Sequence, residues 1–335
     1  MGKEAACFVV SGTAGNLCSM MAYCERRGSE VITGDKAHMI LYEGGGISAI
    51  ANALVRTVQT HPNGSLNLDE IEKKIRKGPK DPMFPSTECI AVETTHCSLG
   101  GKVVPLSFFE ELRQLSNKYH SIPIHLDGAR LFNACASLNC SPLDITRFVD
   151  SVTFCLSKGL GCPVGSVICG SSTFIKRVRR ARKMVGGTTH QCGILAAAGL
   201  IGLQEKIYKT QIHNDNKNAH QLSEMINETQ KLNEYLVVEE MPESNLIYMT
   251  CKKMKSGLLV EEMGKRGVLC FCLGDTLIRM VLHLEIVEKD LILIRDILVD
   301  CVQSVQNRKT KKQSGMKENS SNEEEEAEYG SWNTN

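Results

Sequence analysis

The chain has 335 residues, which is long enough to bury a sizeable core and to form two domains. It carries 39 Lys and Arg residues against 38 Asp and Glu residues, so its formal net charge of +1 gives no electrostatic reason to expect nucleic acid or an anionic membrane as a partner. We therefore expect the partner to be a small molecule.

The cysteine usage and the absence of a long apolar run predict a soluble cytoplasmic protein. The 15 cysteines are scattered through apolar segments, which indicates reduced packing residues rather than a disulfide framework. No apolar run reaches the roughly 18 residues of a membrane span. The first residues show neither a secretory nor a mitochondrial presequence pattern.

Short apolar runs alternate with stretches of helical period over about the first 170 residues. Six runs are typical of strands: ACFVV (6–10), EVITG (30–34), CIAVET (89–94), PIHLD (123–127), SVTFCL (151–156) and GSVICG (165–170). Because these runs are apolar on both faces and are joined by segments such as SFFEELRQLSNKY (107–119), they predict an α/β domain. We expect a mostly parallel sheet with helices on both faces.

From about residue 171 the pattern becomes helical, and a second, smaller unit of mixed character follows. Its strands are expected near residues 235–240, 245–251 and 276–282, and its helices near 256–266 and 287–305. We predict a large α/β domain over residues 1–205, a small α+β domain over 206–306, and a charged tail over 307–335. The tail has almost nothing to bury, so we expect it to be disordered.

The hexapeptide SGTAGN (11–16) lies between the first strand and a helical segment. Gly12 permits a tight turn, Thr13 offers a hydroxyl, and a helix N-terminus presents free N–H groups to an anion, most often a phosphate. An ordinary strand-to-helix turn without a ligand has the same composition. The motif alone therefore leaves both interpretations open.

Two further residues carry candidate chemistry at strand ends. Asp127 ends the apolar run in HLDGAR, where α/β sheets bind ligands, although it could simply cap a helix. Lys158 follows about one helix and one strand later, between an apolar run and a glycine-rich turn, where it either reaches solvent or acts as a nucleophile. An amine, a carboxylate and a phosphate cradle together match the needs of pyridoxal 5'-phosphate, because the amine bonds to its aldehyde and the carboxylate keeps its ring nitrogen protonated.

Eight motifs in order resemble those of the low-specificity L-threonine aldolases, which are fold-type I pyridoxal-phosphate enzymes. They are SGTAGN (11–16), GDKAHMILYEGGG (34–46), ETTHCSLGGKVVP (93–105), HLDGARLFNA (125–134), LSKGLGCPVGS (156–166), RKMVGG (182–187), GILAAAG (193–199) and IRMVLHL (278–284). The resemblance covers roughly residues 2 to 305. It implies a pyridoxal-phosphate-dependent transferase-like fold and cleavage of L-threonine or L-allo-threonine to glycine and acetaldehyde, with roles in threonine catabolism and glycine biosynthesis.

The resemblance also implies roles for residues that bind the cofactor or act in catalysis. Lys158 would bond covalently to the cofactor, and Asp127 would contact its ring nitrogen. His38 would stack on its ring, and His96 would be a second histidine of the active site. The base that removes the β-hydroxyl proton would be His96, His38 or a water molecule that they position.

Three basic residues would bind the substrate or lie beside it. By resemblance, Arg130 would lie beside the ring oxygen of the cofactor and the substrate, and Arg279 would hold the substrate carboxylate. Lys183 would reach the site of a neighbouring subunit, in a homodimer or homotetramer. No metal ion is expected.

The chain also departs from the family pattern. The usual N-terminal segment with its Ser-Asp-Thr motif is absent, Thr94 replaces an asparagine, His190 replaces an arginine, and Leu282 replaces a threonine. These departures leave a second hypothesis open, a catalytically impaired homologue that retains the fold. A β-eliminating lyase of the same fold type is a third.

Overall fold

A computed structural model describes residues 1–76 and 83–315 of the chain. Its first half contains, in chain order, β1 (Ala5–Val9), α1 (Gly12–Tyr23), β2 (Ser29–Gly34), α2 (His38–Leu41), α3 (Gly46–Ala49), β3 (Leu54–Val58), α4 (Leu68–Lys74), β4 (Ser86–Glu93), a 3-10 turn (Cys97–Leu99), α5 (Leu106–Lys118), β5 (Ile124–Asp127), α6 (Leu131–Leu138), α7 (Pro142–Thr146) and β6 (Ser151–Cys155). Its second half contains β7 (Ser166–Gly170), α8 (Ser172–Met184), α9 (Gly193–Gly202), α10 (Glu205–Glu228), α11 (Gln230–Asn233), β8 (Leu236–Val237), β9 (Leu246–Cys251), α12 (Ser256–Lys265), β10 (Phe271–Leu273), β11 (Leu277–Val281) and α13 (Glu288–Gly315).

The first seven strands form one sheet in the order β1-β7-β6-β5-β4-β2-β3. The pairs β6–β5, β5–β4, β4–β2 and β2–β3 are parallel, which confirms the predicted α/β class with a mostly parallel sheet. β7 is antiparallel to both β6 and β1. The connection from β6 to β7 is too short to contain a crossover helix, and a direct return places the next strand antiparallel.

The sequence patterns missed β3, which forms an edge of this sheet. Its sequence, LVRTV, contains an arginine and a threonine, and Leu54 is exposed. An edge strand buries little apolar surface, so it lacks the continuous apolar run by which the central strands were predicted.

Helix α1 packs closely on the sheet near the end of β6. An added Cβ on Gly15 would lie 2.5 Å from Cγ2 of Thr153, so only glycine permits this approach of the helix to the strand. The close packing brings the first turn of α1 to the same edge of the sheet as the ends of β5 and β6.

The last four strands form a second, antiparallel sheet in the order β10-β11-β9-β8. Helices α10, α12 and α13 share an apolar core with it, which includes Leu222, Leu259, Ile278 and Leu298. The predicted domain boundary near residue 205 stays a prediction, and α10 begins at Glu205.

The C-terminal helix α13 continues to Gly315, past residue 307, where the predicted tail begins. The rest of that tail, residues 316–335, lies outside the described residues. Within residues 1–76 and 83–315, no helix combines the length and the apolar character needed to cross a bilayer.

Candidate active site

Asp127 lies at the carboxyl end of β5, in the middle of the large sheet. It pairs in register with Glu93 of β4 on one side and Thr153 of β6 on the other, and only 3% of it is exposed. Its Oδ2 accepts a hydrogen bond of 2.8 Å from Nδ2 of Asn16, and its Oδ1 accepts one of 3.1 Å from the backbone N–H of Ala129. Both carboxylate oxygens are therefore held in place.

Lys158 lies in the turn that follows β6, beside the strand that ends at Asp127. Its carbonyl oxygen accepts a hydrogen bond of 2.9 Å from the N–H of Gly161, which has a φ of +68° that favours glycine. The side chain is half-buried, and within the described part of the chain its Nζ has no hydrogen-bond or ion-pair partner. Lys158 and Asp127 both act on the pKa of the Cys155 thiol, which burial raises, Lys158 lowers and Asp127 raises. The structure thus brings the two residues to neighbouring strand ends.

The turn predicted to bind phosphate begins helix α1 at the same edge of the sheet. Ser11 caps the helix, since its Oγ accepts a hydrogen bond of 3.1 Å from the N–H of Ala14. A Cβ on Gly12 would lie 3.0 Å from Sγ of Cys155, so a larger residue there would crowd the end of β6. Thr13 is exposed in the first helical turn. The free N–H groups of α1 therefore face the region that Lys158 and Asp127 border.

His38 begins α2 and belongs to a network of carboxylates. Its backbone N–H donates to Oε2 of Glu93 at 2.7 Å, and its Nδ1 lies 3.0 Å from Oε1 of Glu43, which also accepts a hydrogen bond of 3.0 Å from Asn16. The hydrogen bond to Glu43 raises the pKa of His38, and burial opposes it. Burial, followed by the nearby charge of Asp127, raises the pKa of Glu93 to about 7.

One donor atom each from His38, Glu43 and Asp127 lies within 4.8 Å of the other two, which is a spacing that could hold a metal ion. The same atoms already exchange hydrogen bonds with one another or with Asn16. Hydrogen bonding therefore accounts for this cluster, and the expectation of a metal-free site stays a prediction.

His96 follows β4 and is 1% exposed. Burial lowers its pKa to about 4, and its Nδ1 has no hydrogen-bond partner in residues 1–76 and 83–315. The imidazole is therefore neutral near pH 7 and has an unused buried nitrogen, which is suited to binding a ligand or a water molecule.

His125, for which the sequence suggested no role, lies behind Asp127 on the same face of β5. Its Nδ1 lies 2.8 Å from Oγ of Ser151, and its Nε2 lies 3.3 Å from Oδ1 of Asn16. Asn16 in turn donates to Asp127. His125 therefore orients the amide that holds the Asp127 carboxylate.

The buried His125 predicts a specific dependence of stability on pH. Burial lowers its pKa to about 4, so between the unfolded value near 6.5 and pH 4 the unfolded chain binds a proton that the folded chain does not. The free energy of unfolding should therefore decrease as the pH falls through this window, by up to about 1.4 kcal/mol per pH unit from this imidazole. His96, whose pKa burial also lowers to about 4, contributes in the same way. We expect His125→Gln to remove the contribution of His125 alone, so that the variant shows about half of the loss of stability that these two histidines cause.

Urea unfolding from about pH 4.5 to 7.5 measures this difference. Exposed His220 supplies the control, since His220→Gln should keep the wild-type pH dependence. Identical slopes for wild type and His125→Gln would contradict the prediction.

Two arginines approach each other from different parts of the fold. Arg130 caps α6, and its Nη1 donates to Oδ1 of Asn245 at 3.3 Å. Arg279 lies on β11, with Nη1 3.8 Å from Sγ of Cys97. Burial lowers the pKa of Arg130, and Arg279 lowers it further against the opposing influence of Cys97. A region that collects two guanidinium groups favours an anion, such as a carboxylate.

The structure does not bring Lys183 into this arrangement. Lys183 is exposed in the last turn of α8, and within the described residues of this single chain it contacts none of the site residues above. Its predicted contribution to a neighbouring subunit stays a prediction.

Several residues of the site were not predicted from the sequence: Asn16, Glu43, Glu93, Asn245 and Tyr248. Asn16 could have been found, because it lies one helical turn after Gly12 and therefore on the same face of α1. Tyr248 donates from its hydroxyl to the carbonyl oxygen of Cys97 at 2.8 Å, across the two sheets, and no sequence spacing indicates this contact.

The architecture and the arrangement of the site define a fold-type I α/β protein. The model of the beta-eliminating lyase family matches residues 1–251. Low-specificity L-threonine aldolase 1 of Arabidopsis thaliana is 40% identical over 293 residues, which cover 87% of this chain and 80% of that protein. Low specificity L-threonine aldolase of Escherichia coli (strain K12) is 36% identical over 290 residues, which cover 87% of this chain and 82% of that protein.

Among solved structures, a threonine aldolase of Leishmania major superposes with a TM-score of 0.74 at 19% identity, over 89% of this chain and 84% of that one. This likeness supports the fold. The chain belongs to the beta-eliminating lyase family, and within it to the low-specificity L-threonine aldolases. The resemblance indicated by the eight motifs is confirmed.

Proposed function

We propose that this protein cleaves L-threonine and L-allo-threonine to glycine and acetaldehyde with pyridoxal 5'-phosphate as its cofactor. The observation that carries the proposal is the placement of Lys158 and Asp127 at neighbouring strand ends, beside the N-terminus of α1. The family membership of the chain supports the same reaction.

The residues present fit the proposed cofactor. Lys158 offers an Nζ with no partner among the described residues, Asp127 offers a buried carboxylate, and Gly12 keeps the start of α1 clear of side chains. Lys158 would bond to the aldehyde carbon, Asp127 would hold the proton on the ring nitrogen, and Gly12 and Thr13 would contact the phosphate. When bound, pyridoxal phosphate supplies an electron sink for the electrons of the breaking Cα–Cβ bond.

The protein's own residues would orient the amino acid and move its protons. Arg279 would hold the substrate carboxylate, and Arg130 would lie beside the cofactor ring oxygen and the substrate. His38 would stack on the ring. The β-hydroxyl proton would pass to His96, to His38 or to a water molecule they position. His96 is the neutral imidazole at pH 7, whereas His38 is the stronger base because Glu43 raises its pKa.

We also infer an assembly of at least two chains, as a homodimer or homotetramer. Helix α9 exposes 85% of Ile194, 74% of Leu200 and 58% of Ile201, and an apolar face of this kind is typical of a protein interface. Lys183, one helix earlier, would then reach the site of the neighbouring chain. The 15 free cysteines support a reducing, cytoplasmic location.

The test is a comparison of products from the protein reconstituted with pyridoxal phosphate. L-Threonine and L-allo-threonine should yield acetaldehyde, which a coupled alcohol dehydrogenase assay measures. L-Serine should yield little pyruvate. Pyruvate as the main product would instead support a β-eliminating lyase. A protein that binds the cofactor yet releases neither product would be the impaired homologue.

A further inference from the structure

Arg279 lies on β11, between the strands β10 and β9 of the second sheet. It pairs in register with Phe271 of β10 on one side and with Tyr248 of β9 on the other. Residues directly opposite each other in antiparallel strands share one face of the sheet, so these three side chains form a row. The adjacent residues Ile278 and Met249 point to the opposite face and are buried in the apolar core of this sheet. The row therefore lies outside that core.

Phe271 contacts the guanidinium of Arg279 through its aromatic ring. The central carbon of the guanidinium lies 4.9 Å from the ring centroid, which is within the range of a cation–π interaction. Near the same guanidinium, Nη1 lies 3.8 Å from Sγ of Cys97, whose carbonyl oxygen accepts the hydrogen bond from the Tyr248 hydroxyl. The guanidinium is thus bordered by an aromatic ring and a thiol.

These neighbours leave Arg279 able to bind an anion. Within residues 1–76 and 83–315 no carboxylate forms an ion pair with it, and its buried Nε has no hydrogen-bond partner. An acidic neighbour would also orient the guanidinium, but it would occupy the N–H donors and offset the positive charge. A phenyl ring orients the group without either effect, because it interacts with the cation through its face.

Packing in the core does not account for an aromatic residue at position 271. Phe271 is 51% exposed, and the core of its sheet lies on the opposite face. A side chain that stays half exposed gains only part of the stabilisation that full burial gives. The contact with Arg279 does account for an aromatic residue, since an aliphatic side chain of similar size has no face to which a cation is attracted.

We propose that Phe271 is a positioning residue that acts through Arg279 on the binding of the substrate carboxylate. Its ring holds the guanidinium in one orientation before the amino acid arrives. A long side chain that is already ordered loses less conformational freedom when the ligand binds, and the ligand binds more tightly for that reason. This inference rests on the proposed function, because Arg279 would hold the carboxylate of L-threonine.

The test is Phe271→Leu, which keeps an apolar side chain and removes the aromatic face. We expect KM for L-threonine to rise by about two- to fivefold while kcat is unchanged, because the contact acts on binding and not on bond cleavage. Glycine, the product with the same carboxylate, should bind more weakly by the same factor in calorimetry of the protein loaded with pyridoxal phosphate. Phe271→Tyr keeps the ring and should show the wild-type values.

A double-mutant cycle identifies the route of the effect. In an Arg279→Gln background, Phe271→Leu should cause no further loss of glycine affinity, because both substitutions remove the same interaction. Leu273→Ala, at an exposed apolar residue of the same strand, is the matched control and should bind glycine as the wild type does. Thermal unfolding of Phe271→Leu should occur at the wild-type temperature, since the ring is half exposed.

Four results would overturn the role of Phe271: wild-type KM and glycine affinity in Phe271→Leu, an equal loss in Phe271→Tyr, full additivity with Arg279→Gln, or a lowered kcat together with a lowered unfolding temperature. A wild-type protein that neither cleaves L-threonine nor binds glycine would overturn the proposed function as well. A wild-type protein that does both, beside a Phe271→Leu variant without the expected loss, would contradict the role of Phe271 alone.

Discussion

Lys158→Ala should abolish threonine cleavage, with a loss in kcat of about 1,000-fold or more, because no other described amine lies at the ends of β5 and β6 to replace it. Borohydride treatment of the wild-type protein with pyridoxal phosphate should leave a stable pyridoxyl group on Lys158. Peptide mass spectrometry locates this group, and the variant should carry none.

Two further variants test whether the free amine of Lys158, rather than its positive charge, is required. Lys158→Arg keeps a positive charge but lacks a free amine, so it should be as inactive as the alanine variant. Lys209→Ala, at an exposed lysine of α10, should retain wild-type labelling and activity. An unchanged pyridoxyl adduct in Lys158→Ala would show that another residue carries the cofactor.

Asp127→Asn should lower kcat by about 100-fold or more, since an amide no longer keeps the ring nitrogen of the cofactor protonated. The carboxylate accepts hydrogen bonds from both Asn16 and Ala129, whereas the amide has only one acceptor oxygen. One of those two N–H groups must therefore face the NH2 group of the new amide. We therefore expect weaker cofactor binding in addition. Steady-state kinetics and titration of the apoprotein with pyridoxal phosphate measure the two effects.

The same substitution has a second consequence at Glu93. Because the charge of Asp127 contributes to the raised pKa of Glu93, its removal should lower that pKa from about 7. Asp296→Asn, at an exposed carboxylate on α13, controls for a general loss of negative charge and should leave kcat unchanged. Wild-type kcat in Asp127→Asn would contradict the role assigned to this residue.

The positions of the central strands, and the reactive residues at their carboxyl ends, could be predicted from the sequence. β2, β4, β5 and β6 contain apolar runs and are mostly buried, so their positions follow from local composition. Asp127 ends β5, and Lys158 lies in the turn that follows β6. The reverse direction of β7 and the edge strand β3 were not predicted. Apolar composition marks burial but does not specify strand direction, and an exposed edge carries little apolar signal.

The supporting residues of the site depended on contacts between remote segments. His125, Asn16 and Asp127 form one chain of hydrogen bonds across β5 and α1, in which Asn16 lies more than 100 positions from the other two residues. Of these three residues only Asp127 was assigned a role from the sequence, because hydrogen-bond partners of this kind obey no period.

The sequence by itself determined the α/β class, the family and the residues able to carry the chemistry, since each depends on composition or on motifs a few residues long. The tertiary structure alone decided that Arg130 and Arg279 approach each other and that Glu93 and His96 are buried with shifted pKa values. The physical reason is that charge interactions and desolvation depend on distance and burial in the folded chain. Separation along the sequence specifies neither.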